Sequence, residues 1–166
     1  MRPQNVILEP PRDRSSVTDS SQSPVAVWTR RILVAEDDDC LRRFMSMGLS
    51  CNGFTVQGAS DGEQAWEALL HQHYNLLVTD NEMPRLTGID LIKRIRKEGM
   101  RLPVIVASGT FPSETADSIV QLKIAAVLPK PFTILELRDA VRNVLASCDG
   151  VMGPIKYPAP THGRAD

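Results

Sequence analysis

Five polar residues stand where apolar runs stop. Glu36 and Asp37 follow Ile32-Leu33-Val34-Ala35, and Asp80 closes Leu76-Leu77-Val78-Thr79. Ser108 follows Val104-Ile105-Val106-Ala107, and Lys130 comes just after the run from Ile124 to Leu128. A carboxylate at the tip of a buried strand is poor packing chemistry, because an unpaired buried charge is costly. Acids brought together repel unless a cation or protons intervene. Hard oxygen ligands in small number suit Mg²⁺, which keeps several waters and pairs with phosphate. A lysine and a hydroxyl opposite such an ion suit the remaining oxygens of a phosphoryl group. Asp80 is then the candidate nucleophile, since carboxylates form acyl phosphates. The chemistry these residues point to is Mg²⁺-assisted acceptance of a phosphoryl group.

The elements between these residues must bring them to one place. After the first apolar run, Leu41, Phe44, Met45 and Leu49 recur at helical spacing, and Gly53 ends that helix. Phe54-Thr55-Val56 reads as a second strand, and Ser60-x-x-Glu63 as a capping box for a helix through Trp66 and Leu69. The strand ending at Asp80 is followed by Met83-Pro84 and Gly88, which force a turn. A third helix runs from Gly88 to Lys97 with Leu91, Ile92 and Ile95 inward and Gly99 at its end. A fourth, from about 112 to 122, is expected to bury Ala116, Ile119 and Val120. Thr133-x-x-Glu136 opens a fifth, with Leu137, Ala140, Val141, Val144 and Leu145 on one face. Strands apolar on both faces, alternating with amphipathic helices, predict an α/β fold with a parallel sheet covered on both sides. Right-handed crossovers make it doubly wound. Ligands of such sheets bind beyond the carboxyl ends of the strands, where all five polar residues lie.

Composition sets the bounds. A chain of 166 residues suits one domain, and a net charge of −1 offers no electrostatic case for nucleic acid or membrane. Cys40, Cys51 and Cys148 form no C-x-x-C and read as free thiols in a reducing compartment. No signal peptide or membrane-length apolar stretch is visible, so a soluble cytoplasmic protein is expected. Residues 1–29, rich in Pro, Ser, Arg and Asp, read as a flexible arm. Residues 148–166, with their Gly and Pro, read as a flexible tail around a domain at 30–147. Glu36 and Asp37 also suit a helix start, and Asp38 and Asp39 read as capping and solvated charge. Cys40 and Cys51 read as core or boundary residues, and the methionines as gap fillers. Lys93, Arg94, Arg96 and Lys97 read as a solvated face. His71 and His73 read as partners of a helix end rather than metal ligands.

From about Arg31 to Leu145 the chain resembles the CheY-like receiver domain of bacterial two-component response regulators. The resemblance is carried by Ile32-Leu33-Val34-Ala35-Glu36-Asp37-Asp38, Thr79-Asp80-Asn81-Glu82-Met83-Pro84, Pro103-Val104-Ile105-Val106-Ala107-Ser108-Gly109 and Lys130-Pro131-Phe132, in order and at family spacing. It implies a flavodoxin-like sheet of five strands in the order 2-1-3-4-5 with five helices. It implies that Asp80 takes a phosphoryl group from a phosphohistidine on a sensor histidine kinase or histidine phosphotransfer protein. Asp37 would bind Mg²⁺ directly, Glu36 directly or through water, and the backbone carbonyl of Glu82 would complete the protein ligands. Ser108 and Lys130 would each meet a phosphoryl oxygen. The Lys130-Pro131 peptide would be cis. Phosphorylation would draw Ser108 inward and reshape the face made by the fourth helix, the fifth strand and the fifth helix, for a downstream protein target.

Some positions depart from the pattern. The family often has an aromatic residue three positions before the lysine, where this chain has Val127. Pro129 denies a backbone donor and predicts an edge strand. About eighteen residues follow Cys148, too few for a DNA-binding or catalytic output domain, so direct DNA binding is not expected. A Mg²⁺-dependent phosphohydrolase with an aspartyl-phosphate intermediate would be the alternative. The D-x-D pattern and cap insertion such enzymes use are missing around Asp80-Asn81-Glu82. A phosphorylation-independent binding module has no use for the full acceptor set. Glu82 places a further carboxyl two residues beyond Asp80. Removing it as Glu82→Ala is expected to change the lifetime of a phosphoryl group on Asp80. An unchanged first-order decay of labelled protein would reject that role.

Overall fold

The three runs that are apolar along their whole length become the centre of the sheet. β1 spans Arg31–Ala35, β3 spans Leu76–Asp80 and β4 spans Val104–Ser108, and β3 and β4 are buried at every position. The computed structural model describes residues 30–109 and 120–149. β2, Thr55–Ala59, flanks β1, and β5, Ala126–Pro129, flanks β4. All four pairings are parallel and the order is β2-β1-β3-β4-β5, as the resemblance implied.

Alternation along the strands divides the core into two layers. Leu33, Leu77, Val104 and Val106 point to one face, under Ala65 and Trp66 of α2 (Gly62–His71) and Leu91, Ile92 and Ile95 of α3 (Gly88–Lys97). Ile32, Val34, Val78 and Ile105 point to the other, under Met45 and Leu49 of α1 (Asp39–Ser50) and Leu137 and Val141 of α4 (Ile134–Asp149). α4 is the helix that the sequence reading counts as the fifth. The helix expected from about 112 to 122, with Ala116 and Ile119, lies mostly outside the described residues, as do the arm at 1–29 and most of the tail. No helix among the described residues is long and apolar enough to cross a membrane.

Several expectations are corrected. β2 is not apolar on both faces: it lies at the sheet edge, half-exposed, with Gln57 and Gly58 in its middle. Phe44 is 43% exposed, because Met45 and Leu49 already fill the narrow stripe α1 turns inward. Met47, on the same outer side, fills no gap, and Cys40 and Cys51 are exposed. Val120 is exposed while Leu122, two residues on and so across the helical turn, packs inward. The cap of α2 is Asp61 rather than Ser60: Asp61 accepts from the Gln64 amide at 2.9 Å, and Gln64 accepts from the Ser60 amide at 3.0 Å. Asp38 alone caps α1, accepting from Leu41 at 2.8 Å, so Glu36 and Asp37 do not double as caps. The box at Thr133 and Glu136 forms as expected, with the Thr133 amide donating to Glu136 at 2.7 Å. β5 sits at the other edge, where the missing Pro129 donor costs nothing.

Arg96 is not part of a solvated face. Its guanidinium donates to the carbonyls of Leu122 at 2.8 Å, Met100 at 3.0 Å, Leu102 at 2.9 Å and Lys123 at 3.3 Å. It therefore ties the end of α3 to the segments entering β4 and β5, and burial holds its pKa below the ordinary arginine value. Four carbonyls lose their donor in Arg96→Met, and hydrogen bonds from charged groups are worth about 1.5–3 kcal/mol each before relaxation. Urea unfolding of Arg96→Met is expected to show a loss of about 2 kcal/mol or more. Arg96→Lys should recover less than half, since an ammonium lacks the planar fork.

Candidate functional site

Parallel register converts separation in sequence into adjacency. Ala35 pairs with Thr79, Asp80 with Ala107, and Ser108 with Pro129. The residues that follow, Glu36 and Lys130, therefore emerge on either side of Asp80 and Ser108. Two backbone bonds extend the ladder to the rim: Glu36 donates to the Ala59 carbonyl at 3.0 Å, and Lys130 to the Ser108 carbonyl at 2.9 Å. Ser108 itself is buried at this edge. The Lys130-Pro131 bond is cis.

At the rim, Lys130 Nζ lies 2.7 Å from Asp80 Oδ2 and 2.9 Å from Glu36 Oε2. Glu36 and Asp80 are buried, whereas Asp37 faces outward. Burial pushes the Glu36 carboxyl above the ordinary glutamate range; Lys130 opposes this and the charge of Asp80 adds to it. Burial pulls the Lys130 ammonium down, but its bonds to Asp80 and Glu36 outweigh that, and its pKa stands above the ordinary lysine value. The Glu82 amide donates to Asp80 Oδ1 at 3.3 Å, which keeps the Glu82 backbone beside the carboxylate. Gly88 is required where it stands: a Cβ there would meet the Asp80 carbonyl oxygen at 2.1 Å.

One oxygen from each of Glu36, Asp37 and Asp80 lies within 4.8 Å of the others. When ionised, three carboxylates against one ammonium leave two negative charges over. The donor set is all hard oxygen, one member faces outward, and the excess charge matches a divalent ion. These residues fit Mg²⁺, for which Asp37, Asp80 and Glu36 would be the carboxylate donors. His71 Nδ1 lies 2.8 Å from the Glu67 carbonyl, at the helix end where it was expected.

Arg42 escaped the sequence reading. Its Nη1 donates to the carbonyls of Glu36 at 2.7 Å and Asp37 at 3.3 Å, and its Nη2 meets Asp39. It fastens the backbone of the acidic loop from one turn into α1. The available signal was Gly58: glycine inside a strand marks a close approach. A Cβ at Gly58 would sit 3.2 Å from Arg42 Cδ.

Comparison with known proteins agrees with this geometry. Residues 32–142 match the family model described as the response regulator receiver domain. The response regulator MprA of Mycobacterium ulcerans is 37% identical over 117 residues, 69% of this chain and 50% of that protein. The transcriptional regulatory protein TctD of Salmonella typhimurium is 37% identical over 122 residues, 72% of this chain and 54% of that protein. The chain spans about half the length of these curated relatives. The receiver domain of the Francisella response regulator 1452 superposes with a TM-score of 0.67 at 31% identity, covering 72% of this chain and 98% of that one.

Proposed function

Since the chain belongs to the response regulator receiver domain family, we propose that it accepts a phosphoryl group on Asp80, with Mg²⁺ held by Glu36, Asp37, Asp80 and the Glu82 backbone carbonyl. The donor is a phosphohistidine on a sensor histidine kinase or a histidine phosphotransfer protein. An Asp80 carboxylate oxygen bonds to phosphorus as the P–N bond breaks, and that electron pair returns to the donor imidazole, which leaves as the neutral base once protonated. Bound Mg²⁺ supplies charge neutralisation for the phosphoryl oxygens and orientation for in-line attack. Lys130, already on Asp80, exchanges its contact with Glu36 for one with a phosphoryl oxygen. Ser108 donates its hydroxyl to another. The resulting movement at the end of β4 alters the neighbouring face of β5 and α4, where a downstream protein binds.

One observation carries this reading: a lysine within 2.9 Å of two buried carboxylates, beside a third exposed one. A buried ion pair built only for stability needs one acid, and desolvating the extra acids is costly. The relatives add support, since MprA is described as a response regulator and TctD as a transcriptional regulatory protein.

The test incubates wild type and Asp80→Asn with acetyl phosphate and Mg²⁺ and follows intact mass. Wild type is expected to gain one phosphoryl adduct that is alkali-labile, and Asp80→Asn none. An adduct persisting in Asp80→Asn would overturn the site, and sustained turnover of small phosphate esters would favour the phosphohydrolase.

A further inference from the structure

The loop from Asn81 to Thr87 connects the candidate acceptor to α3, and it holds a costly conformation. The Leu86 amide donates to the Pro84 carbonyl at 2.8 Å, a bond that spans one residue, and the residue spanned, Arg85, has φ 67°. A three-residue turn with positive φ at its centre is the strained form of the γ-turn. Arginine there has none of glycine's freedom, so surrounding contacts must hold it.

Those contacts are specific. The Arg85 guanidinium reaches Asp61 Oδ2, although Arg85 is largely exposed and the Asp61 side chain is only 2% exposed. Asp61 Oδ1 is already occupied as the cap of α2, accepting from Gln64, and Oδ2 also receives the Ser60 hydroxyl at 3.3 Å. The cap needs one oxygen; the second is given to the loop. Gly62, next in the chain, lets the loop settle, since a Cβ there would meet the Leu86 carbonyl oxygen at 2.3 Å. On its other side the same loop reaches the site. Glu82 donates to Asp80 Oδ1, and Gly88 donates to the Asn81 carbonyl at 3.1 Å while lying against the Asp80 carbonyl.

We propose that Arg85 and Asp61 are positioning residues, whose ion pair pins the loop after Asp80 onto the capped start of α2 and so fixes the Glu82 backbone beside the phosphoacceptor. The proposal rests on the phosphoryl-accepting reading above and deepens it. Neither residue touches the reacting atoms. A stray surface ion pair would be worth little and would leave the site unaffected. A positioning pair has a different signature, because supporting contacts around metal ligands typically change metal affinity by about 10–100-fold.

Arg85→Gly separates the two roles, since it removes the cation and relieves the backbone strain together. Its unfolding midpoint should therefore stay near that of wild type, relief of strain offsetting the lost partner of Asp61, which keeps its Gln64 and Ser60 donors. The Mg²⁺ concentration for half-maximal labelling by acetyl phosphate should nonetheless rise by about tenfold. In metal-free protein, hydrogen exchange at the Glu82, Leu86 and Gly88 amides should quicken by about tenfold. Arg85→Lys should restore both readouts most of the way. Asp61→Asn, which keeps the cap, should match Arg85→Gly; if it fails to fold, Arg85→Gly and Arg85→Lys carry the test alone. Wild-type half-saturation and wild-type exchange in Arg85→Gly would overturn the positioning role. Failure of wild type itself to label would overturn the phosphoryl reading instead, with the exchange rates still deciding whether the pair holds the loop.

Discussion

A single ammonium between two buried carboxylates is the constraint from which the site follows. Taking an acid out of water is expensive, and a pair recovers the cost only when geometry and hydrogen bonding are good. Here Lys130 meets both Glu36 and Asp80 at ordinary charge-assisted distances. Such a contact between residues fifty and ninety-four positions apart needs rigid carriers. The parallel ladder supplies them: β1, β3, β4 and β5 are in register, so their ends arrive together. The excess of acid over base then leaves a negative pocket open to solvent through Asp37, suited to a divalent ion and the phosphoryl group it would accompany.

The strand tips fix the side chains of the candidate site, and arginines fix the loops between them. Arg42 holds the carbonyls of the acidic loop, Arg85 holds the loop after Asp80, and Arg96 holds the approaches to β4 and β5. Arg42 and Arg96 use the guanidinium's several donors on backbone carbonyls, whereas Arg85 makes a single contact with the buried carboxylate of Asp61. A site on a sheet rim gains precision from the strands and loses it in the loops, so these side chains act where positional error would enter.

This division explains what could be read beforehand. Glu36, Asp37, Asp80, Ser108 and Lys130 were legible because apolar runs ending in polar residues reveal both the strand and its tip. The two-layer core was legible in Leu91, Ile92 and Ile95 and in Leu137 and Val141, which keep helical spacing. Arg96 and Arg85 were not, because their partners are carbonyls and a buried acid on other segments, and no local pattern announces such contacts. The cap of α2 fell one residue from its expected place because Ser60 is an equally good cap by composition; the helix begins at Gly62, which leaves Asp61 as the extended residue before it. Phe44 misled because spacing alone cannot say how wide a stripe the neighbouring elements will cover. β2 misled because burial of an edge strand depends on what lies beyond it.

If Lys130 organises the rim, it and Asp80 are energetically coupled rather than merely near. A double-mutant cycle of Lys130→Met, Asp80→Asn and the pair, followed by urea unfolding without divalent ions, measures this directly. A coupling of about 1–2 kcal/mol is expected, within the range for residues in one buried network. Additivity within about 0.3 kcal/mol would contradict it and leave the strand tips with no interaction to organise them.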